Sequence, residues 1–250
     1  MKIAKMADRP EIFFTVQGEG INVGKPAVFV RSSLCNLQCF WCDTDYTWNW
    51  EGTPFKHRTD TAFGQQKYSK AEQIIEMTAD EVVEWIGQYD CRHVVITGGE
   101  PLMQQEGWIE VMNLLRILDP DYFFEVETNG TLIPTPEFDH FINQYNVSPK
   151  LNNSGMREEI REKADAYEYF SKSEKSWFKF VVGNALDSAE VVTLMKRYQI
   201  PREKILLMPL ASDTKALDVT SDWLVEQCKL MNVRYCDRLH IRVFQGERGT

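Results

Sequence analysis

The chain has 250 residues, 43% of them hydrophobic and 26% charged, with 28 Lys and Arg against 37 Asp and Glu for a formal charge of −9. That apolar fraction excludes wholesale disorder, which needs low hydrophobicity together with charge, and a chain this long can bury one sizeable core. The acidic balance argues against a surface built to grip nucleic-acid phosphates, though not against a small anion held by a few local cations.

In chain order, the first β-rich run is 27–31. The polar and aromatic stretch 45–68 has no clear period and reads as a long loop of the kind that serves as a lid. Its Trp48, Trp50 and Phe55 read as packing of that loop onto the domain surface. Thr78-Ala-Asp-Glu81 is a capping-box sequence, with Val82, Ile86 and Tyr89 on one helical face behind it. A strand is predicted at 93–97 and a helix over 102–118, with Ile109, Met112 and Leu115 aligned. Strands follow at 122–127 and 146–148. The stretch 156–170 reads as a charged, solvated helix. Beyond it come a strand at 177–182, a helix opened by Asp187 and Glu190 reaching about Tyr198, and a strand at 204–208. Thr220 opens a helix carrying Leu224 and Cys228, and the last strand is predicted at 239–244. Several runs are continuously apolar, as strands buried on both faces are.

Alternating strands and helices imply right-handed βαβ units around a parallel sheet. The strands are too few for a closed eight-fold barrel. The expectation is an α/β fold with an open, partial barrel of about six parallel strands, in one domain spanning 1–250 with an insertion at about 45–70.

No run approaches the roughly 20 apolar residues of a membrane span, and the N-terminal residues lack a signal-peptide pattern. A cytoplasmic protein with neither membrane nor nucleic-acid partner is expected, where thiols stay reduced and clustered cysteines bind metal or do chemistry. Cys91, Cys228 and Cys236 are scattered and read as small buried hydrophobes. Cys35, Cys39 and Cys42 lie within eight residues, just past the 27–31 strand, where α/β folds place their sites. A structural zinc would want a fourth ligand, and the nearest histidine, His57, is fifteen residues past Cys42 with no second knuckle. A four-iron, four-sulfur cluster held by three thiolates leaves one iron open to an amine and a carboxylate.

The spacing Cys35-x3-Cys39-x2-Cys42, with Trp41 before the last cysteine, resembles the signature of the radical S-adenosylmethionine superfamily. Gly98-Gly99-Glu100-Pro101, after the second strand, resembles that superfamily's glycine motif, which holds the methionine amino group. Glycine lets carbonyls approach closely, and a carboxylate accepts from an ammonium. Phe13 to Gly20, Gly24 to Arg31, Asp43-Thr44, Glu127-Thr128-Asn129-Gly130 and Ser148-Pro149-Lys150 together resemble the 7-carboxy-7-deazaguanine synthase family over most of the chain.

That resemblance implies ring contraction of 6-carboxy-5,6,7,8-tetrahydropterin with loss of ammonia, on the 7-deazapurine route to queuosine. It implies a 4Fe–4S cluster on Cys35, Cys39 and Cys42 and a magnesium ion at Thr44. It assigns substrate contacts to Val16, Gln17, Gly18, Glu19, Arg31, Thr97 and Thr250. S-adenosylmethionine contacts fall on Trp41, Cys42, Asp43, Gly99, Glu100, Ser148, Pro149, Lys150 and part of 208–211. Gln17 or Glu19 would accept from the pyrimidinone N–H edge, and the Arg31 fork would take the substrate carboxylate. An external electron donor such as flavodoxin or ferredoxin and a homodimer are implied as well. The stretch 45–68 departs from the family pattern. Two rivals share the cysteines: an activase of a glycyl-radical enzyme, which Gln17-Gly18-Glu19-Gly20 and Asp43-Thr44 speak against, and a non-catalytic zinc-stabilised module.

Overall fold

The computed structural model describes residues 1–60 and 67–250. Among these, seven strands run parallel in one sheet: β1 Pro26–Ser32, β2 His93–Gly98, β3 Phe123–Thr128, β4 Gln144–Val147, β5 Ser176–Val182, β6 Ile205–Pro209 and the two-residue β7 Arg234–Tyr235. Their order across the sheet is their order along the chain. Each right-handed crossover therefore advances in the same direction and lays its helix on the same face. The sheet is open: antiparallel Ile12–Val16 and Lys2–Met6 extend the β1 side, and Ile74–Glu76 pairs with Lys2–Met6. About six parallel strands were expected; β7 is the addition.

The period of two along each strand divides the molecule into a core and a site. On one face Val28, Val30, Val94, Ile96, Phe124, Val126, Tyr145, Val147, Phe178 and Phe180 belong to a single apolar cluster. Helices α1 Ala79–Ile86, α2 Gln105–Leu118, α3 Pro136–Phe141, α4 Ala164–Lys172, α5 Ala185–Arg197 and α6 Thr214–Met231 close over it. They contribute Val82, Trp108, Phe138, Phe170, Val191 and Leu224, among others. The alternate positions Arg31, Thr97, Glu127 and Lys179 face the concave side and line a cavity. Strands that look nearly apolar thus carry a polar or charged side chain at selected alternate positions.

The capping box before α1 forms: Thr78 Oγ1 accepts from Glu81 N at 3.2 Å, and Glu81 accepts from Thr78 N at 2.7 Å. Three expectations fail. Residues 239–244 are not a strand but helix α7, Leu239–Phe244. Leu239 N donates to Gly18 O at 2.9 Å, and Ile241 packs with Leu217 and Ala211, so tertiary contacts override the alternation of Leu-His-Ile-Arg. Helix α6 begins at Thr214 rather than Thr220, because Asp213 caps it by accepting from Ala216 N at 2.9 Å. The stretch 156–170 is broken into Glu158–Arg161 and α4, and its Arg161, Ala166, Tyr167 and Phe170 are buried rather than solvated. No helix among the described residues is long and apolar enough to cross a membrane.

Candidate active site

The cysteine loop leaves the end of β1 and is pressed against the end of β2. Gly99 N donates to Ser32 O at 3.0 Å and Glu100 N to Leu34 O at 2.9 Å. A Cβ at Gly98 would collide with the Ser32 backbone. One at Gly99 would collide with Leu34 O and stand 3.0 Å from Cys35 Cβ. Gly98 also has φ +144°, a conformation that excludes side chains. The Gly-Gly pair is therefore required by the close approach of two backbones at the lip of the cavity.

Glu100 was expected to contact the cofactor; it does not line the cavity. Fully buried, it accepts from Leu102 N at 3.0 Å, Thr128 Oγ1 at 2.9 Å and Asn129 N at 2.7 Å. Burial raises its carboxyl, and these donors oppose the rise. Glu100 is a knot between the loops after β2 and β3. Asn129 continues it, donating to Asn36 Oδ1 at 2.8 Å in the cysteine loop. Pro149 likewise lies off the cavity wall, while its neighbours Ser148 and Lys150 line it. Lys150 Nζ donates to Ser148 Oγ at 3.0 Å and sits 5.6 Å over the Trp41 ring.

Cys35, Cys39 and Cys42 reach one cavity of about 470 Å³, together with Trp41, Asp43, Thr44, Thr97 and Gly99. Burial raises all three thiols, Cys39 to about 12 with Lys150 opposing. Cys42 is raised further by the Asp43 charge, while Trp48 and Thr44 favour its thiolate. Left to themselves they are protonated, and a soft metal that displaces the protons is their natural partner. Among the described residues no three His, Cys, Asp or Glu side chains close around a single metal ion, so there is no ready zinc knuckle. Three soft sulfurs reaching one cavity suit an iron–sulfur cluster with one open iron.

The same cavity also carries a charged cluster, which meets the cysteine loop at Asp43. Lys179 Nζ, buried on β5, donates to Glu19 at 2.5 Å and to Glu127 at 2.8 Å. Arg238, at the start of α7, donates to Glu19 at 3.0 Å and to Asp43 at 2.5 Å. Burial alone would raise the Glu19 carboxyl; Lys179, Arg238 and His240 override it and hold it far below the usual range. Glu127 is raised by burial and by the neighbouring Glu19 and Glu125 charges, against Lys179. Behind it, Gln17 and Asn146 donate to both Glu125 and Glu127.

Val16, Gln17, Gly18 and Glu19 all line the cavity, as does Thr250. Glu19 and Gln17 are not the open acceptors expected of them: the first is committed to two cations and the second to two carboxylates. Nor is Arg31 a free fork. Its Nε donates to Glu11 at 2.6 Å, and Glu11 also binds Arg248 at 2.6 Å and Tyr46 Oη at 2.9 Å. Arg248 lies 3.5 Å over the Tyr46 ring and donates to Lys5 O at 2.7 Å, holding the tail that brings Thr250 to the cavity.

A model of the radical SAM superfamily matches residues 29–168. The 7-carboxy-7-deazaguanine synthase of Pyrobaculum aerophilum is 37% identical over 241 residues, covering 96% of this chain and 95% of that one. The chain belongs to the 7-carboxy-7-deazaguanine synthase family. The synthase of Rhodopirellula baltica is 30% identical over 253 residues, covering 96% of this chain and 87% of its own. The crystal structure of QueE from Escherichia coli matches with a TM-score of 0.63 at 27% identity, covering 96% of this chain and 95% of that one. Membership of the radical SAM superfamily carries with it a 4Fe–4S cluster and S-adenosylmethionine, and the glycyl-radical activase reading falls away.

Within this synthase-family site, sequence reasoning missed Glu11, Glu125, Lys179, Arg238, His240 and Arg248, and gave Glu127 no role. Lys179 and Glu125 carried a usable signal, a charge at an alternate position of an otherwise apolar strand. The others come from loops and from α7, and their neighbours in space are more than a hundred residues away in sequence for Arg238 and Arg248.

Proposed function

We propose that this chain contracts the ring of 6-carboxy-5,6,7,8-tetrahydropterin to 7-carboxy-7-deazaguanine with loss of ammonia, as a radical S-adenosylmethionine carbon–nitrogen lyase. The observation that carries it is one cavity walled at one end by three thiols and the Gly98-Gly99 edge, and at the other by charged side chains. The cluster and S-adenosylmethionine, when bound, supply a hydrogen-abstracting 5′-deoxyadenosyl radical, and a magnesium ion supplies a hard Lewis acid for the substrate carboxylate.

The protein's own contribution is positioning. Cys35, Cys39 and Cys42 hold the cluster. Gly98 and Gly99 let the loop after β2 press against the cysteine loop, and Lys150 and Trp41 flank the cavity where the cofactor's amino-acid end would lie. Thr44 offers a hydroxyl for magnesium, a weak ligand that needs waters and substrate oxygens beside it. Arg31 keeps its terminal nitrogens for the substrate carboxylate while Glu11 holds its Nε. Glu127 presents a remaining lone pair to the pterin N–H edge, with Lys179 fixing it and Glu19 in turn holding Lys179. The cavity walls would shield bound cofactor and substrate from solvent and hold them in one position.

A low-potential flavodoxin or ferredoxin is the proposed electron source, a homodimer the proposed assembly and the cytoplasm the proposed location. Anaerobic enzyme with full iron, given the carboxypterin, S-adenosylmethionine, magnesium and reductant, is expected to release 7-carboxy-7-deazaguanine, read by mass spectrometry. Absence of that product from fully loaded protein would sink the reading.

A further inference from the structure

The stretch after Cys42 is more than a cover. His57 Nε2 donates to the Cys42 carbonyl at 2.7 Å, and Thr59 Oγ1 binds the other ring nitrogen at 2.7 Å. Thr47 O accepts from Leu34 N at 3.1 Å, so both ends of the cysteine loop are tied to this insertion. Trp48 is 3% exposed, with His57 and Phe55 edge-on to its ring at 6.0 and 6.4 Å.

Two observations then bear on one atom. Trp48 Nε1–H is buried and has no hydrogen-bond partner among the described residues. Native proteins rarely leave such a donor unmet, because its desolvation costs about 1–3 kcal/mol. Trp48 lines the same cavity as Cys42, and His57 stands edge-on to its ring while hydrogen-bonded to the Cys42 carbonyl, which brings the indole to the cysteine; its N–H favours the Cys42 thiolate. A neutral thiol is a weak acceptor; a cluster-bound thiolate is a much better one.

We propose that Trp48 is a positioning residue for the cluster: its indole N–H donates to the cluster-ligating Cys42 thiolate and makes the cluster easier to reduce. This rests on the reading of Cys35, Cys39 and Cys42 as its ligands. The electron that enters on reduction adds negative charge to the sulfurs, so a fixed N–H dipole stabilises the reduced state more than the oxidised one. The insertion would then set how low a potential the reductant must reach.

Reconstituted W48F and the parent, matched for iron, are compared by redox titration followed by electron paramagnetic resonance. W48F is expected to titrate at a more negative potential, with its reduced-to-oxidised ratio at fixed electrode potential lowered about tenfold, or 59 mV for a one-electron couple. F55L, which loosens the same packing but keeps the N–H, is expected to titrate with the parent. An unchanged W48F midpoint, or an equal shift in F55L, overturns the proposal and leaves the cluster reading standing. A parent that binds no cluster overturns that reading instead. Should W48F fail to assemble its cluster, indole-15N labelling in a W41F background decides. A 15N coupling to the reduced cluster supports the contact, and its absence overturns it.

Discussion

Three thiols stand at one end of the cavity with burial raising each of them, while at the other end Glu19, Glu127, Lys179 and Arg238 satisfy one another almost completely. Both ends are desolvated, but only one is finished. The charged end can fold and hold its shape alone, because each buried charge has an opposite charge against it. The thiol end is held by backbone contacts and by Glu100 rather than by its own side chains, which keeps the sulfurs available. On the proposed reading, a site for an added inorganic group and a site for an organic substrate are thus built differently in one chamber.

The sharpest break in that contrast is C39A. It is expected to abolish S-adenosylmethionine cleavage and the brown charge-transfer absorption while leaving the thermal transition of the apoprotein close to the parent's, since the Cys35 and Cys42 sulfurs, and not Cys39's, make the loop's thiol hydrogen bonds among the described residues. Persisting cleavage would mean that the cluster sits elsewhere. K179M attacks the other end and should behave in the opposite way, costing about 3–5 kcal/mol in denaturant unfolding because Glu19 and Glu127 are left facing each other. Its pH dependence has a definite sign. Without the lysine the Glu127 carboxyl, already raised by burial, rises further while Arg238 still holds Glu19, so the folded state takes up a proton at Glu127 first as pH falls. The deficit relative to the parent should shrink from pH 8 to pH 5, and a deficit that widened would contradict the pairing.

E100Q tests the knot that holds the unfinished end. An amide cannot accept from all three donors, so a loss of about 1–3 kcal/mol is expected, together with weaker S-adenosylmethionine binding by calorimetry. T78A removes only the capping box of α1, far from either end. It should cost about 1 kcal/mol in thermal unfolding and leave turnover unchanged.

What could be read from the sequence divides along the same line. Cys35, Cys39 and Cys42 and the Gly98-Gly99 turn are local patterns, complete within a few residues, and they were legible. So were six of the seven parallel strands, whose runs are bounded by turns. The charged end was not, because it is assembled from β3, β5, the segment before β1 and α7, and no local period records which concave-face residues meet. Glu100 was misassigned because a carboxylate in a glycine turn looks like a ligand; only burial reveals that backbone N–H groups consume it. Residues 239–244 were misread because four alternating residues satisfy a strand pattern as well as one turn of a docked helix.

Glu11 holds Arg31 at Nε, and the guanidinium so anchored lines the cavity. A lysine at that position would keep the positive charge and the Glu11 contact. It would have a single nitrogen to serve both, and nothing planar to distinguish a carboxylate from any other anion. On the proposed function, discrimination at this corner of the cavity therefore rests on shape, with charge the lesser part.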